Sequence, residues 1–479
     1  MNAPSQRKAS DALQEVYAVT DSPSGERLVQ SLLMLNLAIL FLRPQDIVPI
    51  VGTLRIPVAV SILCVVAWLG RAGRRWETQM KIIFLFLSGE ALRTMIGKLV
   101  WDDLVRNDFW AFYLWRDLFF QYLGFVFPMV AFMSTGRGLR VIARSWLLIS
   151  GLLAAWAITH HGTGPGGFVE DENDLGLTLL TFLPMALGLA TEWRYPERSR
   201  LFSFLVAGLI ILGAMVTFSR GTFVGLLCVL ACFIWRSQRK FAILATGTLL
   251  VLCALPFVPR AYIERIGTIK DTNEGTADLR RHYWNIAGRI FLDPKHMAFG
   301  VGLGNATFHL ADYETGEDLA HYPSSAGRAV HSIYFELLPD LGLWGIAIVS
   351  SLVTISFRRN ARLSRVLAFQ QQLIANELSS TPTEQQPAQS SVSDSERESA
   401  LSALSLLSRE YNLIRPMLLA ANLAFVAIFT AGAFISVLYY PMLWIACGLS
   451  ATLTSYSRRL LPIFDELSQL GYVTPPATR

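Results

Sequence analysis

At 479 residues, 53% of them hydrophobic and only 16% charged, with a mean hydropathy of +0.41, the chain is too apolar for a soluble globular protein, in which about a quarter of residues are charged. Its 41 Lys and Arg against 36 Asp and Glu leave a formal charge of +5 with no basic run, which excludes nucleic acid as a partner. The apolar residues form continuous runs rather than alternating, which excludes a β-barrel and predicts an all-α, polytopic integral membrane protein in a lipid bilayer.

Residues 1–27 are polar and carry Arg7, Lys8 and Arg27. They are expected to form a cytoplasmic tail without a cleaved signal peptide. About twelve transmembrane helices follow, centred on 28–42, 57–70, 82–100, 110–133, 140–158, 175–191, 201–218, 222–235, 241–258, 333–356, 415–437 and 439–455. Spans 57–70 and 222–235 are short for a crossing of roughly 20 residues and are expected to tilt or re-enter. Nine spans therefore occupy 28–258, and a long loop, 259–332, precedes the tenth span at 333–357. A second loop, 358–414, has a centre rich in Ser, Gln and Pro, from Ser379 to Ser391, that reads as a disordered linker. Spans eleven and twelve fill 415–455, and 456–479 is a second cytoplasmic tail. Cys64, Cys228, Cys232, Cys253 and Cys447 all fall in apolar runs and read as packing residues.

Basic residues orient this chain, because short cytoplasmic loops collect Lys and Arg. Arg71, Arg74, Arg75 and Lys81, then Arg194, Arg198 and Arg200, then Arg358, Arg359, Arg362 and Arg365 share one side, whereas 160–174 has no basic residue except His160 and His161 and carries Glu170, Asp171, Glu172 and Asp174. Both termini are thus expected in the cytoplasm. In a bacterium, whose inner membrane this chain would occupy, the loop 259–332 is periplasmic.

Charged groups at membrane depth are costly unless paired or wet. Arg220 lies in the tight turn Thr217-Phe218-Ser219-Arg220-Gly221-Thr222, with Gly221 expected to permit the bend. It is placed either to grip an anion or to extend its head into the interface. Arg280 precedes Trp284 by one helical turn and shares its face, a pair suited to a sugar or lipid phosphate as well as to packing. Arg281, Arg289 and Lys295 read as solvated. His331, at the edge of the tenth span, is either structural or a base near neutral pH. The acids from Glu170 to Asp174, after the Gly164-Pro165-Gly166-Gly167 turn, suit a cation, a base for a hydroxyl, or plain solvation. Gly300-Val301-Gly302-Leu303-Gly304 lacks the strand–helix context of a nucleotide loop, and the histidines lack zinc spacing.

Taken in order, the Ser-Arg-Gly turn at 219–221, the stretch from Arg280 through Asp293-Pro294 to Gly304-Asn305, and His331 to Gly345 resemble the O-antigen ligase and O-antigen polymerase superfamily, with its Wzy_C-type domain. Leu42-Arg43-Pro44-Gln45-Asp46 and the Gly-Pro tract are similar to the branch of O-glycosylation ligases associated with exosortase systems. The resemblance implies a metal-independent, cofactor-free glycosyltransferase of polysaccharide biosynthesis that takes glycan from an undecaprenyl-diphosphate carrier at the periplasmic face. The acceptor would be a lipid, a polysaccharide such as an exopolysaccharide, or a protein, and other polysaccharide-assembly proteins would be partners. Carried over by position, Arg220 and Arg280 would hold the diphosphate and His331 would act at the reacting centre. Asp171, Asp174, Trp284 and Asp340 would be acceptor-side or structural. Ser332 and Asp340, beside Pro339, depart from the Asn and Glu frequent in the family, which leaves the role of Asp340 open. A transporter of a small anion or sugar and a non-catalytic scaffold of an export complex are the competing readings. The scaffold predicts that Arg220, Arg280 and His331 lie apart.

Overall fold

The computed structural model describes residues 8–71, 76–100, 108–192, 196–237, 240–241, 275–379 and 394–473. Among these, every regular element is helical, as expected where backbone groups must be satisfied within each segment. The longer helices are α1 (Ala9–Thr20), α2 (Ser24–Leu42), α3 (Ile56–Gly70), α4 (Thr78–Val100) and α5 (Asp108–Gln121), the last continuing through a π turn at Tyr122–Val126 into Phe127–Phe132. They continue with α6 (Gly136–Thr159), α7 (Glu172–Thr191), α8 (Glu197–Val216), α9 (Arg220–Arg236), α10 (Gly275–Leu292), α11 (Ile333–Ser379), α12 (Asp394–Ala431) and α13 (Pro441–Gln469). Every predicted span but one coincides with a described helix; the exception, 241–258, lies outside the described residues save for Phe241. Among the described residues, six stretches are both long and apolar enough to cross a membrane: Ala9–Leu42, Gly136–Thr159, Glu172–Thr191, Glu197–Val216, Ile333–Ser379 and Asp394–Phe434.

The helix α7 is the central post. Of its most apolar window 78% is buried, against 33% for α8, which turns Leu201, Phe204, Leu205 and Leu212 outward. Around α7 pack α6, α8, α9 and α12. Close approach to α9 depends on Gly176, where a Cβ would come within 2.1 Å of Thr222 Oγ1, the small-residue contact common between helices in lipid.

Two stretches read as tail or loop are helical. In α1, Ala9, Ala12, Val16 and Val19 are buried in a narrow stripe against α12 and α13, too small an apolar face to register as a span. The flanks of 358–414 extend α11 to 47 residues and α12 to 38, far beyond the roughly 20 that cross a bilayer. The two helices pack together: Leu367, Gln370, Gln371 and Ile374 are buried on α11 and Ala400, Ala403, Leu404 and Leu407 on α12, and Tyr411 Oη donates to Gln370 Oε1 at 2.8 Å. Polar groups on these stripes masked their helical period. The Ser-, Gln- and Pro-rich centre, 380–393, lies outside the described residues.

Residues 275–332 form a helical cap with its own small core of Ile286, Ile290, Val301, Leu310 and Val330. His282 stacks on Tyr322 at 4.2 Å and faces Asp318, while His296 packs beside His309 and Tyr313, so these histidines build the cap. Arg289, read as solvated, pairs with Asp318. The cap packs on α11, at the face of the bundle where α7, α9 and α11 begin, hereafter the site face.

Candidate functional site

Three helix starts meet at the site face. Asp171 caps α7, its Oδ1 accepting from Asn173 N at 2.8 Å and Asn173 Nδ2 at 2.9 Å. Ser219 caps α9 by accepting from Thr222 N at 3.2 Å, and its hydroxyl donates to Asn173 Oδ1 at 2.7 Å, tying the two starts together. The bend before Arg220 is carried by Phe218, left-handed at φ 50°. Gly221, expected to permit that bend, is instead helical and lies against Ala431 and Phe434. A non-glycine residue in this conformation costs about 1–2 kcal/mol, so the turn is held by its surroundings. Thr217 Oγ1 donates to Ala214 O at 2.7 Å, and Arg220 becomes the first residue of α9.

The third start is α11. Before it, His331 is also left-handed, at φ 51°, and its backbone N–H donates to Ser436 Oγ at 3.0 Å. Trp284 on α10 fixes the approach: its indole N–H donates to Val330 O at 2.8 Å and its ring stacks on Phe335 at 5.1 Å. Arg280, one turn earlier on the same face of α10, thereby comes to the same place. Burial first, and then the Arg220 guanidinium, pull the Arg280 pKa down, while Asp171 pulls it up. Part of His331 remains exposed. Even so, the protein around its ring strips enough water, with Arg280 adding repulsion, to hold the imidazole below its ordinary range, and Asp171 opposes this. Arg220, Arg280, Asp171 and His331 thus share one electrostatic neighbourhood. Among the described residues no carboxylate makes ion-pair contact with Arg280.

Beneath His331, α11 is broken. Pro339 lacks an N–H, and Gly342 sits at φ 59°, ψ −152°, a region closed to side chains. The loop 297–304 fills the gap. Val301 N and Gly302 N donate to Pro339 O and Asp340 O at 2.8 and 2.9 Å, and Leu343 N and Trp344 N donate back to Met297 O and Ala298 O at 2.9 Å each. Four groups freed in the break, Pro339 O, Asp340 O, Leu343 N and Trp344 N, thus find partners in the loop, which matters at membrane depth, where an unpaired backbone group is costly. The Asp340 carboxylate accepts from Ala306 N at 2.7 Å, Gly304 N at 3.1 Å and Tyr439 Oη at 2.8 Å, and is buried. These bonds tie the 304–306 backbone and Tyr439 to α11. A Cβ at Gly342 would meet Met297 O at 2.6 Å, so Gly342→Ala is expected to destabilise the protein by about 3 kcal/mol or more, read as a lower thermal midpoint in detergent. Gly288→Ala on α10, with open space around it, should leave the midpoint unchanged.

One loop stitches these parts together. Between α12 and α13, Ser436 binds His331, Leu438 N donates to Glu336 Oε2 at 2.9 Å, Tyr439 binds Asp340, and Tyr440 Oη donates to Asp174 Oδ2 at 3.1 Å. The Arg43–Asp46 motif buttresses the turn before Asp171: Arg43 Nε binds Asp46 Oδ2 at 2.6 Å, and its guanidinium packs on Gly167. Sequence reading missed Glu336, the Ser436–Tyr440 loop and Arg93, which bonds to Gly300 O at 2.7 Å. For Arg93 and Glu336 a signal existed, since both are charges inside apolar runs.

Residues 183–350, which include Arg220, Arg280 and His331, match the Wzy_C family model, described as O-antigen ligase. The match supports membership of the O-antigen ligase superfamily and a ligase- or polymerase-type function in polysaccharide biosynthesis. No curated protein matches the chain.

Proposed function

We propose that this chain, with an O-antigen ligase domain at residues 183–350, is a membrane glycosyltransferase that moves glycan from an undecaprenyl-diphosphate-linked donor onto an acceptor hydroxyl at the site face, taken as periplasmic. The observation that carries this reading is the grouping of two guanidiniums, an imidazole and a carboxylate, Arg220, Arg280, His331 and Asp171, where α7, α9 and α11 all begin. Helix starts carry partial positive charge and suit phosphate oxygens, and two guanidinium forks complete a seat for a diphosphate. A small anion would need less, and a scaffold would have no use for a left-handed histidine held beside two arginines.

In the reaction the bond between the sugar's anomeric carbon and the diphosphate oxygen breaks while the acceptor oxygen bonds to that carbon. The acceptor's proton passes to the neutral His331 ring. Arg220 and Arg280 take up the charge developing on the lipid diphosphate. Asp171 lies where it can stabilise the imidazolium that forms.

The test is purified protein in lipid nanodiscs with a lipid-diphosphate-linked glycan, following lipid diphosphate release and glycan on added acceptors. Turnover that needs an acceptor supports transfer, and the productive acceptor identifies the product class. Intact donor with every acceptor tried, alongside uptake of an anion or sugar into proteoliposomes, would replace this reading with transport.

A further inference from the structure

We infer that Arg93 is a positioning residue for this transfer: it latches the break in α11 and so holds the half-helix that carries His331 at its head. The inference rests on the transferase reading above. Two charges, Glu90 and Arg93, sit one turn apart in the apolar α4, and Glu90 is 1% exposed, an arrangement that costs free energy at membrane depth. Their contacts explain it. Arg93 Nη2 donates to Gly300 O at 2.7 Å, Nη1 reaches Asp340 O at 3.4 Å, and Glu90 Oε2 lies 3.4 Å away.

Those two carbonyls lie on opposite sides of one seam. Gly300 belongs to the loop that fills the break and Asp340 to the broken helix, and the backbone bonds of Val301, Gly302, Leu343 and Trp344 run between them. With Pro339 and Gly342 at its base, the segment Ile333–Leu341 has no continuous helical hydrogen bonding to the rest of α11, so its direction is set by the seam. Tyr439 clamps the seam through Asp340, and Arg93 clamps it from α4. Arg93 acts through backbone several residues from His331, which is why its effect falls on positioning rather than on substrate contact.

The test compares wild type with Arg93→Ala and Arg93→Lys in nanodiscs, measuring kcat and KM for the lipid-diphosphate donor and amide exchange over 297–305 and 338–345. Arg93→Ala should lower kcat by about 10- to 100-fold, the cost of a displaced catalytic group, with KM changed by less than about threefold. Exchange at Val301, Gly302, Leu343 and Trp344 should quicken. Arg93→Lys should recover most of both, since one ammonium still reaches Gly300 O. Should the alanine variant fail to insert, Arg93→Gln takes its place. A kcat within about twofold of wild type, a change confined to KM, or unchanged exchange would overturn the inference. An inactive wild type would instead overturn the transferase reading, and the exchange comparison would then decide the latch alone.

Discussion

Replacing His331 by alanine is expected to slow glycan transfer by about 10²–10⁴-fold, the range for loss of a general base, in a protein that still folds. The fold is spared because the tie from this residue to its surroundings is its backbone N–H to Ser436, which alanine retains. His331→Asn is the sharper variant, since asparagine tolerates the left-handed backbone that His331 adopts at φ 51°. The pH profile is a second readout. Only the neutral ring accepts a proton, so the rate rises with pH through the His331 pKa and then levels. Burial and Arg280 depress that pKa below the ordinary 6.5, so the profile should be level at neutral pH and fall only on the acid side of the ordinary histidine range. A rate still climbing above pH 7, or a fully active His331→Asn, would remove His331 from the role of base.

Removing Arg220 or Arg280 should cost about 10²–10³-fold in kcat, the usual scale for losing one preorganised donor to developing charge. The lysine variants should retain part of the rate, because an ammonium keeps the charge but loses the bidentate fork. The two sites share one ligand, so their effects should combine non-additively in a double-mutant cycle. Arg280 carries a further signature. It repels the protonated His331, so Arg280→Gln should raise the His331 pKa and move the acid limb of the residual activity to higher pH. Full activity in both alanine variants, or an unmoved limb in Arg280→Gln, would separate the arginines from the chemistry.

Much of this architecture was legible in the residues. Long apolar runs locate helices well, because lipid permits little else, and the turn at Arg220, the aromatic-basic turn of α10 and the edge of α11 each announced themselves as polar groups where polarity is expensive. What stayed hidden depends on contacts between distant segments. The reading that Gly221 permits a bend followed glycine's local preference, yet the strain fell on Phe218, held by bonds that Thr217 and Ser219 make with α8 and α7. Asp340 looked like a shortened acid of open purpose until the 304–306 backbone supplied its donors. The flanks of 358–414 read as loop because polar groups sit on their buried stripes, Gln370 and Gln371 on α11 and Glu410 and Asn412 on α12, and a glutamine looks solvated until the tyrosine that bonds it is found on the facing helix.

The Ser436–Tyr440 loop has a consequence for how the protein comes into being. It joins α12 to α13 and binds His331, Glu336, Asp340 and Asp174, all of which leave the ribosome long before it does. Until α13 inserts, these groups have been delivered to the bilayer surface without the chain that orders them. On the proposed reading, a nascent chain would therefore hold Arg220, Arg280 and His331 before their surroundings are fixed, and would not yet transfer glycan. The site would then be ordered in one step, when the hairpin of α12 and α13 closes.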